Sequence, residues 1–159
     1  MMDTEAIYQE PSVSEIKHLL ENKFKGKVTV SKTEVRRVHA EILNKEDVFE
    51  VCNYIHDNLT FEHCSIVMGA DMIDHLEVIY LLTNYYSGTV IEIFTKLPLD
   101  DLHVHSVALI WEGANWHERE TYELFGIIFD EHPKLKRLLT PDTYTFFPFR
   151  KSYKLRGQE

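Results

Sequence analysis

The sequence predicts an α+β fold in which a mostly antiparallel sheet carries two helices on one face, followed by a helix and an extended C-terminal arm. Helical and strand periodicities alternate early in the chain, three strand-like segments then follow one another, and prolines interrupt the last part of the chain. We therefore divide the chain into an α+β body (residues 1–98), a helical region of the same domain (99–131) and a tail (132–159).

Two helices are predicted in the body. Ser12 and Glu15 have the spacing of a capping box, and Gly26 is placed to end the helix that follows. Asn44 is the predicted N-cap of the second helix, whose first turn is acidic. The apolar residues of this second helix recur at helical spacing, namely Val48, Val51, Cys52, Ile55 and Leu59.

Five strands are predicted from short runs rich in β-branched and aromatic residues, at 27–31, 35–42, 64–70, 75–83 and 89–96. In the second, Val38, Ala40 and Ile42 should face the core, with His39 and Glu41 on the opposite side. Hairpins between neighbouring strands predict antiparallel pairing. Residues 99–105 are predicted as a loop, 106–111 as a turn or short helix, and 114–125 as a helix that ends at a glycine, Gly126.

Composition and charge exclude several classes of function. The net charge of −9 argues against nucleic-acid binding by the body. The spacing of Cys52 and Cys64 fits neither a redox CxxC motif nor a zinc ribbon. No apolar run is long enough to cross a bilayer, and the N-terminus lacks the features of a signal or transit peptide. We expect a cytoplasmic protein with no direct membrane span.

Histidine and acidic residues leave an enzymatic interpretation open as an alternative. His117-Glu118 does not continue as a zinc-protease motif, since position 121 is Thr, and the pair His103 and His105 has no third ligand at a fixed spacing. A small stand-alone enzyme that uses His and Glu is the alternative; we favour an ion-paired helix, with Arg119 able to pair with Glu123. No catalytic, cofactor-binding or metal-binding residue is predicted in this chain.

The tail has the opposite charge from the body. Residues 132–156 contain seven Lys and Arg but only one acid, Asp142, and Tyr144, Phe146, Phe147, Phe149 and Tyr153 are clustered there. Aromatic residues and Arg are enriched in protein-binding hot spots, and base stacking on single-stranded RNA is the rival interpretation. We expect the tail to run irregularly over a partner protein, so that deletion after about Leu139 would leave a folded body unable to join its complex.

The segment ERETYELFGIIFDEHPKLKRLLTPD, followed by FPFRK, resembles the signature of the 30-kDa or C-type subunit of complex I-type dehydrogenases. The matching positions are Glu118-Arg119-Glu120, Phe125-Gly126, His132-Pro133, Leu135, Arg137-Leu138-Leu139, Pro141-Asp142 and Pro148 with Arg150-Lys151. Glu123, Phe146 and Phe149 depart from the usual residues of this signature. The departures and the short chain make it look most like the archaeal branch, whose complex oxidises a reduced deazaflavin and passes electrons to a membrane phenazine.

The resemblance implies a protein without redox centres, in the peripheral arm of a proton-translocating complex on the cytoplasmic face of the membrane. Its partners would be the large, hydrogenase-like D-type subunit and the iron–sulfur subunits of the B and I types, and the partners would carry the iron–sulfur clusters and flavin. A bacterial NADH:quinone oxidoreductase and an energy-converting hydrogenase are the alternative complexes. The predicted partner-binding residues are Glu118, Arg119, Glu120, His132, Arg137, Phe146, Phe147, Phe149, Arg150 and Lys151.

Overall fold

The structure, a computed structural model, describes residues 10–155. Three α-helices and seven strands lie within these residues. Residues 1–9 and 156–159, the ends of the predicted body and tail, lie outside the described residues. The elements in chain order are α1 (Val13–Lys23), β1 (Val28–Glu34), β2 (Arg37–Ile42), α2 (Val48–Leu59), β3 (His63–Asp71), β4 (His75–Thr83), β5 (Val90–Pro98), β6 (His103–His105), α3 (Ala114–Phe125) and β7 (Ile128–Asp130).

Strands β1 to β5 form one sheet in the order β1-β2-β5-β4-β3. The hairpin partners β1–β2, β3–β4 and β4–β5 are antiparallel, as predicted. The exception is the β2–β5 pair, which is parallel, with Val38 opposite Ile91 and Ala40 opposite Ile93. This pairing joins strands that are separated by α2 and two further strands, because the chain must cross over before it can run parallel to β2.

The core lies between the helices and one face of the sheet. Val38, Ala40 and Ile42 of β2 are fully buried on this face, as predicted, while His39 and Glu41 alternate to the other side. The apolar stripes of α1 and α2 enter the same cluster of buried side chains. The predicted α+β class, with helices on one face of a mostly antiparallel sheet, is confirmed.

The predicted N-cap is correct for α1 and wrong for α2, whose predicted apolar stripe is nevertheless buried as expected. The Glu15 amide donates to Ser12 Oγ at 3.3 Å and the Ser12 amide donates to Glu15 Oε2 at 2.7 Å, which completes the predicted capping box. Asn44 precedes a 3₁₀ turn at Lys45–Asp47 and makes no side-chain capping bond to it, and this turn separates Asn44 from α2. Asn44 therefore precedes the 3₁₀ turn and not the α-helix.

Helix α3 has the predicted bounds, and Gly126 closes it in the left-handed conformation, with φ of 75°. The prediction of a loop over residues 99–105 was wrong at its end, because residues 103–105 form β6, which pairs in parallel with β7. This short pairing brings the chain on either side of α3 together. Beyond β7, the described residues 131–155 contain neither helix nor strand.

Candidate functional site

Helix α3 is the element on which the predicted partner-binding residues converge. It lies against β3, where the Thr121 hydroxyl donates to the Val67 carbonyl at 3.2 Å. Phe125 at its end packs directly over Gly69, where a Cβ would lie 2.6 Å from the Phe125 ring. Only glycine permits this approach, so the end of α3 is fixed relative to the sheet.

Glu118 points from α3 into the protein interior. Its carboxylate accepts hydrogen bonds from the Ser106 hydroxyl at 2.5 Å and the Val107 amide at 2.7 Å, and its side chain is fully buried. Burial raises the pKa of Glu118 to about 7, because two donors compensate only partly for the lost solvent. Its carboxylate is enclosed by its own domain, and the partner contact predicted for Glu118 stays a prediction that would require this part of the domain to open.

His132, just past β7, is held against the same helix. Its Nε2 lies 3.2 Å from the Asn115 carbonyl and its Nδ1 accepts from the Lys134 amide at 2.9 Å. The Glu118 carboxylate is 3.8 Å from Nε2, and burial lowers the pKa of the imidazole. These contacts favour a neutral ring that positions the start of the tail and leave no ring nitrogen for a partner.

Glu123, further along α3, holds the next stretch of the tail. Its carboxylate accepts hydrogen bonds from the amides of Leu138 (2.7 Å), Leu139 (3.0 Å) and Thr140 (2.5 Å) and from the Thr140 hydroxyl. Burial tends to raise the pKa of Glu123, but these donors outweigh it and hold the pKa below its ordinary value. The predicted pairing with Arg119 is wrong, since the carboxylate is occupied by the tail backbone.

Two arginines add to this connection. Arg119 donates to the Lys136 carbonyl at 2.9 Å, and its guanidinium lies 5.0 Å from the centre of the Trp116 ring. Arg137 donates to the Thr140 hydroxyl at 3.0 Å. Both side chains thus secure the tail within the chain, and the role in partner binding predicted for them would have to involve their remaining donors and their exposed surface.

Arg150 fastens the far part of the tail to the end of α3. Its Nε donates to the Phe125 carbonyl at 2.6 Å, and its guanidinium lies 4.6 Å from the centre of the Phe147 ring. A Cβ at Gly126 would lie 2.7 Å from both Phe147 and Arg150. Gly126 therefore serves twice, since it adopts a positive φ and leaves room for the tail.

The backbone on either side of Arg150 is also bound. The Phe149 amide donates to the Leu124 carbonyl at 3.1 Å, and the Lys151 amide donates to Asp71 Oδ2 at 2.8 Å. The tail, which we expected to run over a partner protein, is thus also bound to its own domain. Phe147 and Arg150 in particular lie half-buried against α3, whereas the Lys151 side chain is exposed.

Apolar side chains nevertheless remain on the outer surface of the tail. Leu139 is 80% exposed and Phe149 59% exposed, and the Phe146 ring stacks on Tyr153 and contacts Tyr144 at the surface. Exposed apolar groups of this density are typical of interaction sites. Of the predicted partner-binding residues, Phe146, Phe149 and Lys151 point outward here, and Glu120 is exposed on α3.

Two of the residues that organise this site, Glu123 and Asp71, were absent from the predicted set. The signal for Glu123 was the run Leu138-Leu139-Thr140 before a proline, since successive amides in a turn form an anion-binding concavity. No local signal marks Asp71, which lies 80 residues from the amide that it binds. Contacts of that separation follow from the tertiary fold alone.

Within residues 10–155, no three His, Cys, Asp or Glu side chains are grouped so that they could hold a metal ion. His103 pairs instead with Asp130 at 2.9 Å, and His105 contacts the Ser106 carbonyl. None of the helices described in the same residues combines the length and apolarity needed to cross a membrane.

Comparison with known proteins places the chain in a family. Residues 42–159 match the family described as respiratory-chain NADH dehydrogenase, 30 Kd subunit. The C subunit of the F(420)H(2) dehydrogenase of Methanosarcina mazei is 40% identical over 120 residues, 74% of this chain and 75% of the relative. The C subunit of the NADH-quinone oxidoreductase of Geobacter metallireducens is 30% identical over 142 residues, 85% of this chain and 88% of the relative.

Two solved structures share the fold. A component of the membrane-bound sulfane sulfur reductase, an archaeal respiratory membrane complex, aligns with a TM-score of 0.69 at 22% identity, over 89% of this chain and 84% of that one. A trypsin-resistant fragment of Nqo5 aligns with a TM-score of 0.64 at 22% identity, over 76% of this chain and 98% of that one.

Proposed function

Because the chain belongs to the family of 30-kDa subunits of respiratory-chain NADH dehydrogenases, we propose that it is a peripheral-arm component of a membrane-associated, proton-translocating oxidoreductase. In this role it carries no redox centre and braces the large hydrogenase-like subunit. The reaction of the whole complex is electron transfer from a reduced deazaflavin to a phenazine. The 40% identity to the C subunit of an F(420)H(2) dehydrogenase supports this choice of donor.

The observation that carries the bracing role is the outer surface of the tail. The tail is bound to α3 through Glu123 and Arg150, so its position is set before a partner arrives. On that fixed support, Leu139 and Phe149 are largely exposed. A preorganised apolar surface loses little conformational entropy on binding, which favours tight association with a partner.

The partners and cofactors follow from the same proposal. The large D-type subunit and the iron–sulfur subunits of the B and I types would surround this chain, and they would hold the iron–sulfur clusters and flavin. The complex would lie on the cytoplasmic face of the membrane. The residues Arg119, Glu120, Arg137, Phe146, Phe149 and Lys151 remain our candidates for contact with these partners.

A bacterial-type NADH:quinone complex is the second candidate, and the match to the Geobacter metallireducens relative over 88% of that protein supports it. An energy-converting hydrogenase is a third. A stand-alone His/Glu enzyme fits the structure less well, because its best acid–base pair, Glu118 and His132, has both side chains enclosed at 0% exposure. A substrate would have to displace the tail to reach them.

Native purification of the tagged chain tests the proposal. We expect it to copurify with a hydrogenase-like subunit and with iron and flavin in stoichiometric amounts, and we expect the purified complex to oxidise reduced deazaflavin faster than NADH. Oxidation of NADH alone would select the second candidate. A stable monomer that is free of other subunits would contradict the proposal.

A matched pair of variants tests the tail surface itself. Leu139→Ser should reduce the amount of copurified complex, since Leu139 lies on the tail surface and is 80% exposed. Leu109→Ser serves as the control, because Leu109 is 69% exposed but lies in the turn before α3. Equal recovery of the complex with both variants would exclude the tail surface as the site of contact.

A further inference from the structure

The turn between β3 and β4 has an unusual conformation for its sequence. Ile73 has φ of 81°, in the left-handed region that β-branched residues rarely adopt, and its side chain is 72% exposed. Its amide donates to Asp71 Oδ1 at 2.7 Å, and the Met72 amide donates to the His75 carbonyl at 2.9 Å, so the turn is firmly closed. Backbone strain and an exposed apolar side chain both cost stability at one position, which is typical of a residue kept for binding.

Ile73 forms one wall of a groove of about 460 Å³. Leu76, fully buried, lies at its floor, and Leu99, 52% exposed, lines it as well. The three aliphatic side chains come from β4 and from the turns that follow β3 and β5. The groove is thus an apolar slot at one end of the sheet, built on a rigid support.

The tail supplies the polar rim of this groove. Arg150 is anchored by the Phe125 carbonyl, and Lys151 is anchored by its amide bond to Asp71. The one acid in the lining, Asp71, already accepts from two backbone amides, and the Arg150 and Lys151 charges help to lower its pKa. The Lys151 ammonium makes no ion pair within residues 10–155. The rim therefore offers positive charge beside an apolar slot, on a chain of net charge −9.

We propose that this groove, which we call the hairpin groove (Ile73, Leu76, Leu99, Arg150 and Lys151), binds a segment of a partner protein in which an apolar side chain adjoins a carboxylate. The apolar side chain would lie between the exposed side chains of Ile73 and Leu99, and the carboxylate would meet Lys151. This inference rests on the proposed function, because it assigns a second contact to the same assembly. It also gives a role to the hydrogen bond from the Lys151 amide to Asp71, because this bond holds Lys151 at the rim of the groove.

Competition between variant and wild-type chains in the cell tests the groove. A tagged variant and the untagged wild-type chain are coexpressed with the other subunits, and the ratio of the two in the purified complex is measured. Ile73→Gly should lower this ratio about fivefold or more, as for an apolar anchor in a hot spot. Lys151→Glu should also lower it, through the loss of charge complementarity.

The stability of the full chain separates binding from folding. Glycine relieves the strain at a positive φ, so Ile73→Gly should leave the melting temperature unchanged or raise it by about 1–3 °C. The matched controls are Val35→Gly, which removes a 94% exposed side chain from the β1–β2 turn, and Lys25→Glu, which reverses an exposed charge after α1. Both controls should enter the complex at the wild-type ratio.

Each other outcome overturns the inference. If Ile73→Gly and Val35→Gly are incorporated equally, the groove has no occupant in the complex. If Ile73→Gly lowers both the ratio and the melting temperature, Ile73 serves the fold. If the full chain sediments with phosphatidylglycerol vesicles in an Ile73-dependent manner, the occupant is a lipid surface. If the wild-type chain copurifies with no other subunit, the proposed function fails, and this inference fails with it.

Discussion

Glu118 and Glu123 lie on the same helix, and both are almost fully buried, at 0% and 1% exposure. Burial nevertheless raises the pKa of Glu118 to about 7, whereas the pKa of Glu123 is held below its ordinary value. Glu118 faces the body and meets one hydroxyl and one amide, while Glu123 faces the tail and meets one hydroxyl and three amides. Glu118 lies deeper in the protein, where burial dominates its pKa, whereas four converging donors outweigh burial at Glu123, so depth and donors together decide which carboxylate stays ionised.

This difference assigns the two carboxylates different tasks. Glu123 acts as a fixed negative charge that binds the tail backbone, and it accounts for the close fit of residues 138–140 to α3. Glu118 joins the loop before α3 to the helix through its hydrogen bonds to Ser106 and Val107. No cation within residues 10–155 contributes to its pKa shift, so a negative charge on this carboxylate would be left uncompensated. Removal of Glu123 should therefore cost more than neutralisation of Glu118.

The largest expected effect is that of Glu123→Ala. The substitution leaves three partly buried amides without their acceptor, which should lower the free energy of unfolding by about 3–5 kcal/mol. Urea denaturation measures this loss, and hydrogen exchange should show faster exchange at the amides of residues 138–140. A loss below about 1 kcal/mol would mean that water replaces the carboxylate as the acceptor for these amides. The difference between Glu118 and Glu123 would then not appear in the free energy of unfolding.

The next effect concerns the pH dependence due to Glu118. Its folded pKa of about 7 lies above the ordinary value of 4.5, so between these pH values the folded state keeps a proton that the unfolded state releases. The contribution of Glu118 to stability should therefore fall as pH rises from 4.5 to 7, by roughly 2–3 kcal/mol. Glu118→Gln should remove this slope, as measured by urea denaturation at a series of pH values.

Glu123 should show the opposite sign in the same series. Its folded pKa lies below the ordinary value, so its contribution is fully present above the unfolded pKa and is lost as pH falls through the folded pKa. Subtraction of the Glu118→Gln curve from that of the wild type isolates the Glu118 component. A component that rises with pH would show that Glu118 is ionised in the folded protein.

A smaller effect is expected from the hydroxyl that Glu123 shares with Arg137. Thr140→Val removes this donor while it keeps the shape of the side chain, and should cost about 1–2 kcal/mol and raise the pKa of Glu123. Thr140→Ser keeps the hydroxyl and is the matched control. If both variants lose the same stability in urea, the threonine methyl group is responsible and the hydroxyl contributes little.

The smallest effect is that of Glu120→Ala, which provides the baseline for α3. Glu120 lies between the two buried carboxylates in sequence but is exposed, so its removal should change the free energy of unfolding by no more than about 0.5 kcal/mol. Urea denaturation in parallel with Glu123→Ala measures the difference. A large loss of stability would show that the helix charge as a whole, and not the individual sites, controls these energies.

Local patterns predicted much of the body. The capping box at Ser12, the bounds of α3 and the stop at Gly126 all follow from interactions between residues close in the chain, which the sequence displays directly. The wrong prediction of Asn44 as the N-cap of α2 has a related cause, because the local spacing did not reveal the 3₁₀ turn that lies between Asn44 and the helix. The parallel pairing of β2 with β5 could not be predicted in this way, because it depends on how the crossover through α2 packs.

By itself, the sequence determined the fold class, the boundaries of most elements and, through the run from Glu118 to Lys151, the family. Only the tertiary structure decided that Glu118 is enclosed, that Glu123 binds the tail and that Asp71 fixes Lys151. The reason is physical: the state of a carboxylate depends on the donors and solvent around it, and those donors come from residues distant in the chain. A sequence specifies the charged groups, but packing sets what each one meets.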